Sequence, residues 1–177
     1  MKPYFRLLLV VVLAGLSACT TDSSLSQRDL ADLEAQNPQL VNSSVISGGQ
    51  PTAADLARLK SKGIGTVINL RRDDEDLGFD EAAEAEVLGL SYVNLPVGMD
   101  NLDLQTAIHL RAILNQTSAP VYLHCGSGNR VGALYAIGAH LIDGKPLEEA
   151  LDVGREAGLT GLEPRVREIL INASAAP

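Results

Sequence analysis

The sequence predicts an α/β domain with a largely parallel central sheet of four to five strands flanked by helices. Three observations lead there. From Val45 onward, short apolar runs of strand length alternate with helix-length segments. Capping residues open those longer segments and glycines close them. The segment 131–142 is apolar on nearly every face, as expected of a helix buried against a sheet that is covered on both sides. Length and composition agree: 177 residues with 46% apolar and 20% charged side chains suit one packed domain. Aromatics reach only 3% and Trp is absent, so Leu, Ile, Val and Ala must fill the core.

In chain order, Val45-Ile46-Ser47 reads as a first short strand. Thr52 caps a helix that runs to about Lys62 and stops at Gly63. Thr66-Val67-Ile68-Asn69-Leu70 is a strand, Asp80 opens an acidic helix ending at Gly89, and residues 91–95 form a third strand. Asn101 or Asp103 caps a helix reaching about Asn115. Pro120-Val121-Tyr122-Leu123-His124 is a fourth strand, followed by the buried helix. Pro146 starts a further helix that Gly158 ends, and Pro164, at a first-turn position, starts the last.

The N-terminus has a different character. Lys2 and Arg6 precede a short apolar run at 7–16, too short to span a bilayer as an ordinary transmembrane helix. Residues 1–18 are therefore expected to be a signal peptide, 19–44 a polar tether with a short helix near 27–35, and 45–177 the folded domain. Leu16-Ser17-Ala18-Cys19 resembles the lipobox of bacterial lipoproteins, which implies cleavage before Cys19 and its lipidation, since acyl chains hold a soluble domain at a membrane. Thr20, rather than an acidic residue, follows that cysteine. By the same resemblance the expected location is the cell envelope, on the periplasmic face and at the outer membrane.

Net charge is −8, and loss of residues 1–18 with Lys2 and Arg6 would make it −10. Such a chain lacks the basic face that nucleic acid requires. Its overall field also repels phosphate esters, so an anion site must be built locally. Cys19 and Cys125 sit in contexts too different to suggest a disulfide, and neither belongs to a set with metal-ligand spacing. No metal and no organic cofactor is expected.

The chemistry concentrates in Leu123-His124-Cys125-Gly126-Ser127-Gly128-Asn129-Arg130-Val131. A strand delivers Cys125 to its C-terminal end, where open α/β sheets bind ligands. Glycines at 126 and 128 let backbone N–H groups converge, and the following helix contributes unsatisfied donors and a partial positive charge. The same setting favours a thiolate at Cys125. The planar fork of Arg130 suits two oxygens of a tetrahedral anion.

With Ser47-Gly48-Gly49-Gln50-Pro51, Gly65-Thr66-Val67-Ile68-Asn69-Leu70-Arg71 and Tyr92-Val93-Asn94-Leu95-Pro96-Val97, this loop resembles the dual-specificity branch of the cysteine-dependent protein tyrosine phosphatases. The likeness is closer to the bacterial phosphatase-like domain found alone or fused to β-lactamase-like hydrolases. The resemblance implies Cys125 as nucleophile, Arg130 as phosphate clamp, residues Gly126, Ser127, Gly128 and Asn129 as backbone cradle, and His124 as a loop-ordering residue. It also implies a general acid shortly after Leu95-Pro96-Val97. Asp100 fits that place, with Asp103 as the alternative and otherwise a helix cap. The implied partner is a phosphorylated protein or small molecule.

Two departures matter. Four residues rather than five separate Cys125 from Arg130, a length shared with rhodanese-type sulfurtransferases. Val131 stands where the resembled signature carries Ser or Thr, so thiolate release would fall to Ser127. Alternatives left open are a sulfurtransferase carrying a persulfide on Cys125 and a binding module that keeps the cradle without turnover. The charged run 71–76 follows a strand end, a place from which it can border the site, but a solvated charged loop is the expectation.

Overall fold

A computed structural model describes residues 24–76 and 78–175; the expected signal segment and Cys19 lie outside the described residues. Five strands form one sheet, β1 (Gln39–Asn42), β2 (Val45–Gly48), β3 (Thr66–Asn69), β4 (Ser91–Asn94) and β5 (Val121–His124), in the order β1-β2-β5-β3-β4. The four strands from β2 to β4 are parallel and β1 pairs antiparallel along the β2 edge. Six α-helices accompany them: α1 (Ala53–Ser61), α2 (Glu81–Val87), α3 (Leu104–Gln116), α4 (Asn129–Leu141), α5 (Leu147–Glu156) and α6 (Glu163–Ala175). The expected α/β class, strand order of appearance and helix starts are all found.

The starts follow from local chemistry. Thr52 accepts from the Asp55 backbone N–H while Asp55 returns a bond to Thr52, a complete capping box on α1. Asp80 caps α2 through Ala83 N–H, and Asp103 caps α3 through Thr106 N–H at 2.9 Å.

The last strand in sequence, β5, is inserted between β2 and β3 and is buried throughout. Its alternating side chains serve two cores. Val121 and Leu123 join Val45 and Ile68 beneath α3, α4, α5 and α6, while Tyr122 joins Ile46 and Val67 beneath α1 and α2. Because β2 continues to β3 around the place β5 occupies, the carboxyl end of β5 lies at a switch in strand order, where such sheets leave a crevice.

The boundary of the fold departs from the sequence reading. Residues 25–44 are not a free tether: a 3₁₀ turn at Gln27–Leu30 and strand β1 pack onto the sheet, with Leu25 and Ala35 buried against Ile46 and Tyr122. The apolar residues that do this (Leu25, Leu30, Leu33, Leu40) are scattered among polar ones without the period of a helix or strand, so the pattern alone does not show that they are covered.

The helix leaving the site, α4, is anchored by a close crossing with α5. A Cβ added at Gly132 would fall 2.0 Å from the Leu159 backbone nitrogen and 2.5 Å from the Gly154 carbonyl oxygen. These are backbone atoms that cannot rotate away. Gly132→Ala is expected to destabilise the domain by about 1–3 kcal/mol, measured by urea denaturation; an unchanged midpoint would show that α4 and α5 separate freely.

Candidate active site

Cys125 follows β5 directly and is almost wholly covered, with 1% of its surface exposed. The loop behind it is held on three sides. The tail of β2 runs alongside, with Gln50 N–H donating to the Gly126 carbonyl and Gly49 bridging to Ser127. A Cβ at Gly49 would stand 3.0 Å from the Gly126 oxygen, which accounts for the glycine pair at 48–49. Asn37 reaches in from before β1 and donates to the carbonyls of Ser127 and Gly158. Asn129 Oδ1 accepts from the backbone N–H groups of Thr160 and Leu162, tying the start of α4 to the α5–α6 connection.

Gly128 is the N-cap of α4 at φ +81°, a left-handed conformation natural to glycine. Lacking a side chain it makes no cap bond, so the first-turn N–H groups of α4 keep their donors for a ligand. Cys125, Ser127, Asn129 and Arg130 line one cleft of about 420 Å³ together with Arg72, Glu75, Val97, Gly98, Met99 and Leu162. The expected nucleophile and clamp are therefore brought together with Ser127 and Asn129 of the cradle, while Gly126 and Gly128 shape the loop behind them.

The charged run after β3 is not the solvated loop expected from sequence. Glu75 accepts from Nη1 and Nη2 of Arg130 at 2.5 and 2.7 Å, and Arg130 Nη1 also donates to the Val97 carbonyl at 2.9 Å. Glu75 is only 22% exposed, and the Arg130 guanidinium holds its carboxyl down at about 2. Of the five N–H donors of Arg130, these contacts occupy three and leave the Nε hydrogen and one Nη2 hydrogen without a hydrogen-bond partner among the described residues. The guanidinium curls over Gly126, where a Cβ would lie 3.7 Å from Nη2. Two donors on one edge are what a tetrahedral oxyanion above Cys125 needs. Arg71, mostly covered, donates to Gln50 Oε1 and so joins this loop to the β2 tail. Gln50 thereby gains a structural role that its sequence context does not reveal.

The expected acid is not among the residues that line this cleft, although its chain neighbours are. Asp100 is exposed and folds back over Gly98, where an added Cβ would meet Asp100 Oδ1 at 2.4 Å; Gly98 and Met99 themselves line the cleft. Asn101 closes this turn, accepting from Gly98 N–H and donating to the Pro96 carbonyl. Asp103 spends its carboxylate on the α3 cap. Val131 is buried in the core, and Ser127 carries the hydroxyl within the cleft.

His124 points to the opposite face of the sheet from Cys125 and stacks on Tyr122 with centroids 5.7 Å apart. Three residues that shape the site carry no individual mark in the sequence: Glu75, known there only as part of a charged run that can border the site, Asn37, and Glu81, which faces His124. Their partners are 55, 90 and 43 positions away in the chain, so no local pattern marks them.

Comparison with known proteins places this geometry. Residues 38–142 match the family model of the beta-lactamase hydrolase-like protein, phosphatase-like domain. A beta-lactamase hydrolase-like protein of Agrobacterium fabrum is 31% identical over 112 residues, which are 59% of this chain and 25% of that protein. The chain thus matches about a quarter of that relative's length. A solved candidate phosphatase from Neisseria meningitidis superposes with a TM-score of 0.64 at 25% identity, covering 76% of this chain and 96% of its own. A second, from Shewanella putrefaciens, gives 0.64 at 22% identity over 85% and 97%, a likeness of fold. With the Cys125-to-Arg130 loop at the end of β5 and more than half its length matched, this chain belongs to the family of the phosphatase-like domain of beta-lactamase hydrolase-like proteins.

Proposed function

We propose that this chain is a cysteine-dependent phosphatase acting on phosphate monoesters through a phosphocysteine intermediate. The observation that carries the reading is the pair of Arg130 donors left free beside Cys125 once Glu75 and the Val97 carbonyl have taken the other three. In the first step the Cys125 thiolate attacks phosphorus, the S–P bond forms and the ester P–O bond breaks, and Asp100 gives its proton to the leaving oxygen. In the second, water attacks phosphorus, Asp100 takes a proton from it, and the S–P bond breaks to release phosphate and the thiolate. The first-turn N–H groups of α4 and the edge of Arg130 face the charge that spreads over the equatorial oxygens. Ser127 stands in for the hydroxyl missing at Val131 and steadies the departing thiolate. Met99 and Leu162 give the mouth apolar walls, and Arg72 lines it with its charge paired to Asp74.

One set of variants tests the chemistry. Iodoacetate should alkylate Cys125, and phosphate, sulfate or vanadate should protect it. Cys125→Ser should abolish turnover while keeping anion binding, and Arg130→Lys should weaken both, because an ammonium lacks the two-pronged edge. Asp100→Asn should depress turnover of alkyl phosphates more than of an activated aryl phosphate, whose leaving group needs no proton. Alkylation indifferent to anions would sink the reading. Protection without turnover would make the domain a binding module, and thiocyanate formed from thiosulfate and cyanide would make it a sulfurtransferase.

The Glu75–Arg130 pair has its own signature. A carboxyl held at about 2, against its ordinary 4.5, contributes stability that is complete above about pH 4.5 and fades as pH falls toward 2. Glu75→Gln should therefore be less stable than wild type near neutrality, with the difference shrinking between pH 4.5 and 2 in denaturation curves. A difference constant through that window would mean that the pair is not made in solution.

The reading includes a tether. The run ending in Leu16-Ser17-Ala18-Cys19 supports lipidation at Cys19 and attachment to the periplasmic face of a bacterial envelope membrane, the outer one by the residue that follows. The full-length protein should fractionate with membranes, and Cys19→Ala should release it or block its processing. Wild type recovered soluble and unprocessed would overturn the tether without touching the chemistry.

A further inference from the structure

Behind the loop lies a buried polar chain that the reaction as written does not use. Glu81, the first residue of α2, and His124, the last of β5, are both fully covered, with their side chains at 0% exposure. Glu81 Oε1 lies 3.0 Å from His124 Nε2; the two atoms are imperfectly aligned, and neither has another partner among the described residues. On its other side Glu81 Oε2 accepts from the Tyr92 hydroxyl at 3.4 Å, and that hydroxyl accepts from Asn69 Nδ2 at 2.9 Å. The far nitrogen of the imidazole, Nδ1, is 3.3 Å from the Cys125 carbonyl oxygen. The chain thus runs through β3, β4, α2 and β5 and ends on the peptide group of the nucleophile itself. Tyr92, Tyr122 and Cys125 are the other titratable groups around the pair, with Asp55 and Asp80 farther out.

The proton count along this chain is constrained. A carbonyl oxygen only accepts, so Nδ1 must carry a hydrogen to bond it. With Nδ1–H fixed, a carboxylate at Glu81 and a bare Nε2 would place two lone pairs face to face in a dry site. The two facing atoms must share a second proton, and that proton holds the imidazole in the orientation that bonds Cys125. In an isolated ring nothing selects Nδ1–H; the choice is set by what the other nitrogen meets. We infer that Glu81 is a positioning residue for the nucleophile: through His124 it fixes the ring whose Nδ1–H grips the Cys125 carbonyl and so sets the backbone turn that aims Sγ into the cradle.

This rests on the phosphatase reading for its effect on turnover, and its structural core is measurable without turnover. Long-range ¹H–¹⁵N spectra of the folded domain should show His124 Nδ1 protonated in wild type and in Glu81→Gln, whose amide N–H can donate to Nε2. Glu81→Leu should leave Nε2 unanchored, broaden and shift the His124 signals, and lose about tenfold in kcat/KM on an aryl phosphate, the order of one buried hydrogen bond, with Glu81→Gln within about twofold of wild type. In a His124→Asn background, whose amide N–H can itself reach the Cys125 carbonyl, Glu81→Leu should have no further effect on turnover. Wild-type spectra with Nδ1 unprotonated would overturn the inference, and they decide the matter even if Glu81→Leu fails to fold. So would an equal loss from Glu81→Leu with and without His124, which would make Glu81 a packing residue. A wild type with the expected His124 signature but no phosphatase activity would refute the proposed function and leave the Glu81 contact standing.

Discussion

The turn between β5 and α4 is the constraint on which the other parts depend. For Cys125 to sit at the base of an anion site, the chain must leave a fully buried strand, reverse within a few residues and enter a buried helix. At the same time its N–H groups must point toward a ligand rather than toward the protein. The carbonyls of the loop are therefore satisfied from outside, by Gln50 and Asn37, and the opening of α4 is held by Asn129. Each brace comes from a different part of the chain. The segment before β1, which looks like spacer in the sequence, is one of them.

Charge is arranged on the same principle of local provision. The chain is strongly acidic, so its long-range field does not attract a phosphate ester. At the cleft donors fixed in place are provided locally: the first turn of α4 and the free edge of Arg130, while the nearby Arg72 is paired with Asp74. Glu75 adds a negative charge beside this site, yet it spends that charge on the far edge of Arg130 and leaves the near edge open. A half-buried arginine without such a partner would sample other rotamers, and its free edge would not stay aimed at the cleft.

The sheet separates two kinds of work. On the side of α3 to α6, Cys125 faces the cleft and the larger core; on the side of α1 and α2, His124 faces Glu81 and the tyrosines. Adjacent residues at the end of β5 point to opposite faces, so Cys125, the proposed nucleophile, and His124, whose Nδ1 lies 3.3 Å from the Cys125 carbonyl oxygen, are supported by different cores. Packing on the α2 side is thereby coupled to the geometry of the reacting side through a single residue step.

The α/β class, the helix starts at Thr52 and Asp80, the choice of Asn101 or Asp103 for α3, and the loop from Cys125 to Arg130 are legible in the residues alone, because they rest on periodicity, caps and glycines within a few positions. The α3 terminus takes Asp103 as that cap. The partners of Arg130 and His124, the packing of residues 25–44 and the role of Gln50 were decided only by the tertiary structure. Glu75 reads as one more acid in a charged run, and Glu81 as a helix-start acid, until β5 is placed between β2 and β3 and brings Arg130 and His124 against them. Local pattern records which face of an element is buried. Which charged side chain lies across from it depends on strand order, and strand order is fixed by how the whole chain closes its two cores.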